Sequence, residues 1–349
     1  MTAMTVEFMD TLTSYIASLR RQGKPLLSPP LHWTILSNGA ADLHDCIIIF
    51  VFEANKTQPA LVVKVPRLPE DGLALQLEYD RLVELWEHLG PYAAFRVPEP
   101  VAMLTLGAQP AFVISYIHGE SLLRASRRKI WGKPEKVYSL AIDAAEFLRD
   151  IVDRTATQLQ VGENVPTDIL KKIEKFREMY HFTEREDQAL EGLIKNIESM
   201  RRRSTHKALI QGDFWHGNMI RNSSHGGLML VDWQYSRWST DVSLDVYLFL
   251  LAGALASAPQ FPFEERARGA MEVLLQWRPR IIPDYLQAFG KPDQCTLMPA
   301  RYGMLLCCVE KAVRASMDLG FDQVNDLIWR LLFAELVNLS DESEFYNEI

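Results

Sequence analysis

The sequence has few cysteines, and they form no recognisable pairs. Four occur in 349 residues, at Cys46, Cys295, Cys307 and Cys308, without a CxxC pair or the paired Cys and His spacing of a zinc site. We therefore expect neither a disulfide framework nor a structural zinc ion. A reducing compartment, the cytoplasm, fits this cysteine usage best.

Long apolar runs and excess positive charge are also missing. The longest apolar run, VYLFLLAGALASA at residues 246–258, is shorter than the roughly 20 residues that a membrane-spanning helix needs. The first twenty residues contain Glu7 and Asp10 without an apolar core, which disfavours a signal peptide. The formal net charge is −8, and this disfavours binding to nucleic acids or anionic membranes. We expect no nucleic-acid partner and no membrane association.

The length and the apolar content predict two lobes. Hydrophobic residues make up 48% of the chain and charged residues 23%, a balance typical of globular proteins. A chain of 349 residues exceeds the usual size of a single hydrophobic core.

Residues 1–116 form the smaller predicted lobe. A leading helix is expected at residues 5–21, where apolar residues recur at steps of three and four. CIIIFVFE and ALVVKVP follow as a predicted hairpin. A second amphipathic helix is expected around residues 75–89, and FRVPEPVAML and PAFVISYI supply two more strand-like runs.

Residues 117–349 form the larger predicted lobe, which is mainly helical. The only β-like stretch lies around residues 208–232. It contains two short loops, at residues 209–220 and 230–234, and the helical patterns of 241–339 follow. Long helical patterns dominate residues 136–160, 168–203, 241–257, 263–278, 297–318 and 323–339, where we expect helical structure. The fold class is therefore α+β.

The stretches LIQGDFWHGNMI and LMLVDWQ contain the residues best suited to chemistry. Asp213 and Asn218 are five positions apart, and Asp232 ends the next hydrophobic run. Phosphoryl transfer needs one carboxylate to orient an attacking hydroxyl. It also needs an amide oxygen and a second carboxylate to hold Mg²⁺, which prefers hard oxygen ligands.

The segment QGDFWHGN … LVDW resembles the motifs of the aminoglycoside phosphotransferase and choline kinase superfamily. The resemblance implies a bilobal protein-kinase-like fold, with a small antiparallel β-rich N-lobe and a large helical C-lobe. It also implies ATP and Mg²⁺ as cofactors. Asp213 would be the catalytic carboxylate, and Asn218 and Asp232 would be the metal ligands. The resemblance thus makes residues 209–220 the catalytic loop and residues 230–234 the metal loop, and it places the helices of 241–339 on the substrate side.

The small lobe carries an independent indication of the same chemistry. Lys64 lies within the otherwise apolar strand LVVKVP, and Glu78 lies on the inward face of the following helix. A kinase needs a strand lysine to contact the nucleotide phosphates and a helix glutamate to hold that lysine. Because neither charge is tolerated when buried alone, we expect Lys64 and Glu78 to form a pair.

Other positions match the family less closely. Ser115, Tyr116 and Ile117 resemble the hinge that meets the adenine edge. Gln211 replaces the usual first His of the catalytic motif, and Trp215 and His216 replace its His-Pro. The loop expected over the phosphates, residues 36–45, has one Gly, which leaves GTP as an alternative to ATP.

Several side chains near the motif have two interpretations. His216 could act as a base, although loop support is favoured. Asp241 is equally compatible with a helix N-cap and with loop support, whereas Asp245 is expected to anchor the catalytic loop by hydrogen bonds. Core packing is the default for Trp215, Trp233 and Trp238, and an aromatic wall for the substrate is the alternative.

The main hypothesis is a kinase that phosphorylates a hydroxyl of a small molecule, such as a sugar, an amino alcohol, an aminoglycoside-like compound or a related metabolite. The alternative is a nucleotide-binding regulatory or scaffold module without transfer activity. A protein kinase ranks last, because H-R-D, D-F-G and A-P-E are missing. The sequence leaves the acceptor and the oligomeric state open.

Overall fold

A computed structural model describes most of the chain. The described residues are 10–15, 30–36, 46–106, 109–122, 133–160, 168–258, 262–290, 295–318 and 325–339. The chain divides into unit 1, which is Met1–Gly119 with Asn222–Gln234, and unit 2, which is Glu120–Arg221 with Tyr235–Ile349. The predicted boundary after residue 116 stays a prediction, and the predicted metal loop, residues 230–234, is grouped with unit 1.

Unit 1 contains a five-stranded antiparallel sheet. Its strands are β1 (Leu31–Leu36), β2 (Cys46–Glu53), β3 (Leu61–Pro66), β4 (Pro100–Leu106) and β5 (Gln109–Ser115), in the order β1-β2-β3-β5-β4. The predicted hairpin and the two later strands are confirmed. Strand β1 was not predicted. It lies at the sheet edge, where Trp33 and Ile35 remain exposed, so its sequence lacks a clear buried face.

The alternation of side chains along β3 places Lys64 away from the main core. Leu61, Val63 and Val65 point into a buried apolar cluster on one face of the sheet. Lys64 points to the other face, because successive strand residues alternate. Phe112 is opposite Lys64 in the register of β3 and β5.

Helix α1 (Gly72–Leu89) covers this second face. The ring of Tyr79 packs edge-on against Phe112, with centroids 5.4 Å apart. The inward side of the helix buries four leucines and one acid, Glu78. The helix predicted at 75–89 is confirmed. Of the predicted leading helix, residues 10–15 are described and helical, and Leu12 packs into the core cluster.

Unit 2 is mainly helical. Its helices are α2 (Pro134–Thr155), α3 (Ile169–Met179), α4 (Glu184–Arg203), α5 (Ser243–Ser257), α6 (Phe263–Trp277), α7 (Ile281–Phe289), α8 (Ala300–Asp318) and α9 (Asn325–Leu339). The short strands are β6 (Gly119–Ser121), β7 (Thr157–Gln158), β8 (His206–Ile210), β9 (Met219–Asn222), β10 (Leu228–Leu230) and β11 (Arg237–Ser239). Strands β7, β8 and β11 form an antiparallel sheet with β8 in the centre. Strand β10 belongs to unit 1, and β6 and β9 each cross from one unit to the other along the chain.

The helical stretch predicted at 168–203 is confirmed, and it contains two helices, α3 and α4. A capping box at Thr183 starts the second one. The Thr183 hydroxyl accepts a hydrogen bond from the Glu186 N–H, and the Glu186 carboxylate accepts one from the Thr183 N–H. This arrangement satisfies two N–H groups that a helix start leaves without partners.

The remaining helix predictions differ from the structure mainly at the ends. The helix predicted to reach residue 160 ends at Thr155, and α7 was not predicted. The other four predicted helices are confirmed. No described helix combines the length and hydrophobicity needed to cross a bilayer.

A buried carboxylate ties α8 to other parts of unit 2. Glu310 is fully buried, and its Oε1 accepts hydrogen bonds from Lys172 Nζ at 2.7 Å and Arg314 NH2 at 2.9 Å. Arg237 NH1 lies 3.5 Å from the same oxygen. Burial by itself would raise the pKa of Glu310, but Arg237, Arg314 and Lys172 lower it to about 2. The negative charge of Glu310 therefore compensates the positive charges of Lys172, Arg237 and Arg314.

We expect Glu310→Gln to lower the free energy of unfolding by about 3–5 kcal/mol at neutral pH, because it leaves buried cations without their counter-charge. Urea unfolding measures this difference. The control is Glu178→Gln, in the exposed pair with Lys175, which should change stability by less than about 1 kcal/mol. A change of similar size in both variants would contradict the assignment.

The same variant should show a specific pH dependence. The pKa of Glu310 is about 2 in the folded protein, against an ordinary value of 4.5. A lowered folded-state pKa stabilises the protein fully above the ordinary value, and this stabilisation is lost as the pH falls towards 2. The stability difference between the native chain and Glu310→Gln should therefore shrink below about pH 4.5.

Candidate active site

In unit 1, one lysine joins two acids from different elements. Lys64 Nζ lies 2.7 Å from Glu78 Oε1 and 3.0 Å from Asp232 Oδ1. Lys64 comes from β3, Glu78 from α1, and Asp232 from the loop after β10. The structure thus brings together the predicted Lys64–Glu78 pair and adds Asp232 to it.

The loop that carries Asp232 is fixed on both sides of that residue. Trp233 is buried, and its backbone N–H donates to Glu78 Oε1 at 3.2 Å. The Trp233 indole N–H donates to the Leu230 carbonyl. Asp232 has a φ of 64°, in the left-handed region that side chains other than Gly, Asn and Asp rarely adopt. The fold therefore holds Asp232 in an uncommon conformation and keeps its carboxylate at Lys64.

Burial and ion pairing oppose each other in this triad. Burial alone would lower the pKa of Lys64, but the carboxylates of Asp232 and Glu78 raise it above its ordinary value. Burial raises the pKa of Glu78, and the Lys64 amine opposes that effect. The lysine is consequently a permanent cation, and Glu78 is almost completely screened from solvent.

The predicted hinge residues lie at the end of β5 and directly after it, in unit 1. The Ser115 N–H donates to the Glu99 carbonyl, and the Tyr116 N–H donates to the Ala60 carbonyl. Ile117 is buried. The backbone N–H groups of Ser115 and Tyr116 are therefore engaged in the fold. The expected phosphate loop, residues 36–45, lies outside the described residues except for Leu36.

In unit 2, strand β8 runs directly into the loop that carries Asp213. Asp245, near the start of α5, accepts hydrogen bonds from the backbone N–H groups of Gln211 at 2.7 Å and Gly212 at 2.8 Å. The Gln211 side-chain oxygen accepts the Asp213 N–H at 2.8 Å. Burial raises the pKa of Asp245 to about 6, although the two N–H groups oppose the rise. Asp245 and Gln211 thus fix the backbone on the N-terminal side of Asp213.

Gly212 is required by the turn before Asp213. Its φ is 77°, and a Cβ at this position would lie 2.4 Å from the Tyr235 carbonyl oxygen. Any other residue would have to move the backbone that positions Asp213.

The side chain of Asp213 is buried and surrounded by donors. Asn218 Nδ2 donates to Asp213 Oδ2 at 3.1 Å and to its carbonyl at 3.0 Å. Lys311 Nζ donates to Oδ1 at 2.6 Å, and Arg314 NH1 lies 3.5 Å from the same oxygen. Burial would raise the pKa of Asp213, but Lys311 and Arg314 lower it below its ordinary value. Asp213 is therefore an ionised carboxylate at neutral pH.

The surroundings of His216 and Asp241 favour a structural role for both side chains. His216 is 3% exposed, and burial lowers its pKa to about 4, so the ring is neutral at physiological pH. Asp241 accepts hydrogen bonds from the backbone N–H and the hydroxyl of Ser243, the first residue of α5. Its carboxylate therefore satisfies a helix start, and burial raises its pKa to about 6.

The three tryptophans considered in the sequence have different surroundings. Trp233 is a core residue of unit 1. In unit 2, the ring of Trp215 lies against His216 with centroids 5.0 Å apart, and Trp238 lies under the Lys207 amine. An aromatic wall for a substrate stays a prediction only for Trp215 and Trp238.

Sequence reasoning missed Lys311 and Arg314, which contact Asp213 from α8. Arg314 also donates to the Gly212 carbonyl at 3.0 Å and stacks on the Tyr235 ring at 3.7 Å. The sequence did contain an indication of these contacts. The segment LLCCVEKAVR has three charged residues among apolar ones, and charged side chains that are buried are paired.

The two predicted metal ligands, Asn218 and Asp232, belong to different units. In unit 2, Asn218 directs its amide nitrogen to Asp213, which leaves its amide oxygen as the atom for a metal. In unit 1, the Asp232 side chain is 33% exposed. Among the described residues, no group of three or more His, Cys, Asp and Glu side chains could hold a metal ion. Mg²⁺ at phosphoryl-transfer sites takes one or two protein ligands plus phosphate oxygens, so a larger cluster is not required.

Comparison with known proteins identifies relatives at the level of the family. The model of a family described as the phosphotransferase enzyme family matches residues 49–285, which is more than half of the chain. The match confirms the resemblance that the motifs around Asp213 and Asp232 predict. No curated protein sequence matches this chain.

The solved structures that resemble this chain share little sequence with it. A choline/ethanolamine kinase family protein from Mesorhizobium loti is 12% identical, with a TM-score of 0.53 and coverage of 96% of both chains. An aminoglycoside phosphotransferase from Streptomyces rimosus is 13% identical, with a TM-score of 0.45 and coverage of 93% of this chain and 98% of that one. An ethanolamine kinase from Plasmodium vivax is 12% identical, with a TM-score of 0.49 and coverage of 90% and 85%. The family match and the Mesorhizobium loti structure confirm the predicted fold class.

Proposed function

Because the chain belongs to the phosphotransferase enzyme family, we propose that it transfers the γ-phosphate of ATP to a hydroxyl of a small molecule, with Asp213 as the catalytic carboxylate. The family confirms the predicted enzyme class, a kinase with an alcohol group as acceptor. The acceptor class, the nucleotide, Mg²⁺ and the residue roles belong to the proposal.

The Lys64–Glu78–Asp232 triad carries the proposal. Withdrawing a lysine and two acids from solvent costs free energy, and so does the backbone strain at one of these acids. The arrangement adds nothing to the apolar core. A kinase needs it, because Lys64 contacts the nucleotide phosphates and Glu78 keeps the Lys64 amine in place. Asp232, with its partly exposed carboxylate, is assigned as a metal ligand.

The nucleotide base is assigned to the segment at the end of β5. In this proposal, the extended backbone of Ser115, Tyr116 and Ile117 meets the adenine edge. Since the N–H groups of Ser115 and Tyr116 are engaged within unit 1, the carbonyl oxygens are their remaining polar backbone groups. ATP is the proposed donor, and GTP is the alternative.

The residues of unit 2 are assigned to the transfer step. Asp213, ionised and fixed by the loop, accepts a hydrogen bond from the acceptor hydroxyl and orients it for attack. Asn218 supplies an amide oxygen as the second metal ligand. The divalent cation, when bound, neutralises charge on the phosphates. The loop and the adjoining helix are kept in place by four side chains, those of Gln211, His216, Asp241 and Asp245.

A coupled assay with Mg²⁺-ATP and a panel of sugars, amino alcohols and aminoglycosides tests the proposal. We expect one class of acceptor to be phosphorylated, and we expect EDTA to abolish the reaction. Mg²⁺-dependent nucleotide binding without transfer to any acceptor would instead favour a regulatory or scaffold module.

Lys64→Met should lower kcat/KM for ATP by about a hundred- to a thousandfold, the effect of removing one preorganised donor from developing charge. The control is Lys56→Met, an exposed lysine in the turn between β2 and β3, which should retain full activity. Thermal unfolding of both variants separates loss of fold from loss of phosphate binding. Equal activity of the two variants would refute the role of Lys64.

A further inference from the structure

The acceptor side of Asp213 carries a cation that the proposed chemistry does not use. Lys311 Nζ lies 2.6 Å from Asp213 Oδ1. It reaches this position from α8, 98 residues further along the chain. The ammonium thus lies beside the oxygen atoms that the acceptor hydroxyl must approach.

Lys311 is the accessible member of the cations around Asp213. Its side chain is 21% exposed, against 8% for Arg314. Arg314 is already committed, since it donates to Glu310 and to the Gly212 carbonyl. A small molecule that reaches Asp213 therefore meets the ammonium of Lys311.

The carboxylates around this point do not fully offset its cations. Two cations, Lys311 and Arg314, share the single negative charge of Asp213. Asp245 is fully buried and accepts two backbone N–H groups. Glu310 is fully buried and engaged by Lys172 and Arg314. An ammonium group on the acceptor would meet a like charge here, whereas a hydroxyl or carboxylate oxygen would accept a hydrogen bond.

On the basis of the function proposed above, we propose that Lys311 is a specificity residue of this kinase. It selects acceptors that carry a neutral or anionic oxygen group beside the reacting hydroxyl, such as polyols, sugars or sugar acids. It rejects acceptors that carry an ammonium group at that place, a class that includes aminoglycosides and amino alcohols. Rejection by a fixed like charge is a common means of specificity.

Acceptors that differ only in charge test the proposal. One matched set is glucose, glucuronate and glucosamine, and a second is glycerol, glycerate and 2-amino-1,3-propanediol. We expect kcat/KM for the best neutral or anionic member to exceed that of the ammonium member by at least about tenfold. In Lys311→Glu the preference should shift towards the ammonium member by at least about tenfold, and Lys311→Met should give an intermediate ratio.

The ratio of kcat/KM between two acceptors of one set distinguishes selectivity from structural damage, because a folding defect lowers the rates with all acceptors by the same factor. The control is Lys175→Met, an exposed lysine on α3 of the same unit, whose ratios should equal those of the native chain. A preference of the native chain for ammonium acceptors, or unchanged ratios in Lys311→Glu, would overturn the specificity role and leave the kinase function intact. Failure of every member to react would overturn both.

Discussion

Replacing Asp232 with asparagine is expected to lower kcat by at least about a thousandfold. A metal ion contributes several kcal/mol to stabilising charge in the transition state, and each 1.36 kcal/mol is a factor of ten in rate. Asparagine keeps the shape of the side chain and tolerates the positive φ of this position. The fold should therefore survive, while the carboxylate needed for the metal is lost.

Steady-state kinetics and a titration of ATP affinity against Mg²⁺ concentration measure the effect. The affinity of Asp232→Asn for ATP should depend less on Mg²⁺ than that of the native chain. The control is Asp80→Ala on α1, an exposed residue that accepts a hydrogen bond from Gln76. Rapid turnover by Asp232→Asn with an unaltered Mg²⁺ dependence would show that the metal is held elsewhere.

Asp213→Asn should lower kcat by about a hundred- to ten-thousandfold, the range for loss of a group that handles the reacting proton. The KM for ATP should change little, because Asp213 is assigned to the acceptor. His216→Gln is the matched comparison and should lower kcat by less than about tenfold. A larger loss of kcat in His216→Gln than in Asp213→Asn would identify His216 as the base.

The pH profile of the native chain provides a second test of Asp213. Lys311 and Arg314 overcome the effect of burial and hold the pKa of Asp213 below its ordinary value of 3.8. The carboxylate therefore keeps its charge at every pH above its ordinary pKa. Titration of Asp213 should produce no acid limb in the profile of kcat above about pH 4.5. A limb near neutrality that disappears in Asp213→Asn would contradict this assignment of charge.

Part of the site follows from patterns that are local in the chain. The two-residue period of β3 places Lys64 opposite the core residues, and the helical period of α1 turns Glu78 inward. Asp213 and Asn218 lie on one short loop, so their contact needs no distant element. These placements were predictable because strands and helices impose their geometry within a few residues.

Other parts required the folded chain. The helical pattern at 168–203 did not show where the stretch divides into α3 and α4, because the capping box at Thr183 marks that division and apolar periodicity does not. Strand β1 was missed because an edge strand has no fully buried face to leave a clear pattern.

The sequence by itself determined the family motifs, the α+β class and the residues with kinase chemistry, because each depends on spacing along a loop, strand or helix. Only the tertiary structure decided which cations face Asp213. Lys311 and Arg314 reach it because α8 packs within unit 2, and their spacing from Asp213 predicts no contact. The partner of a buried charge is set by which helices meet in the core. The charge beside the reacting group, and with it the proposed choice of acceptor, is therefore a property of the packing.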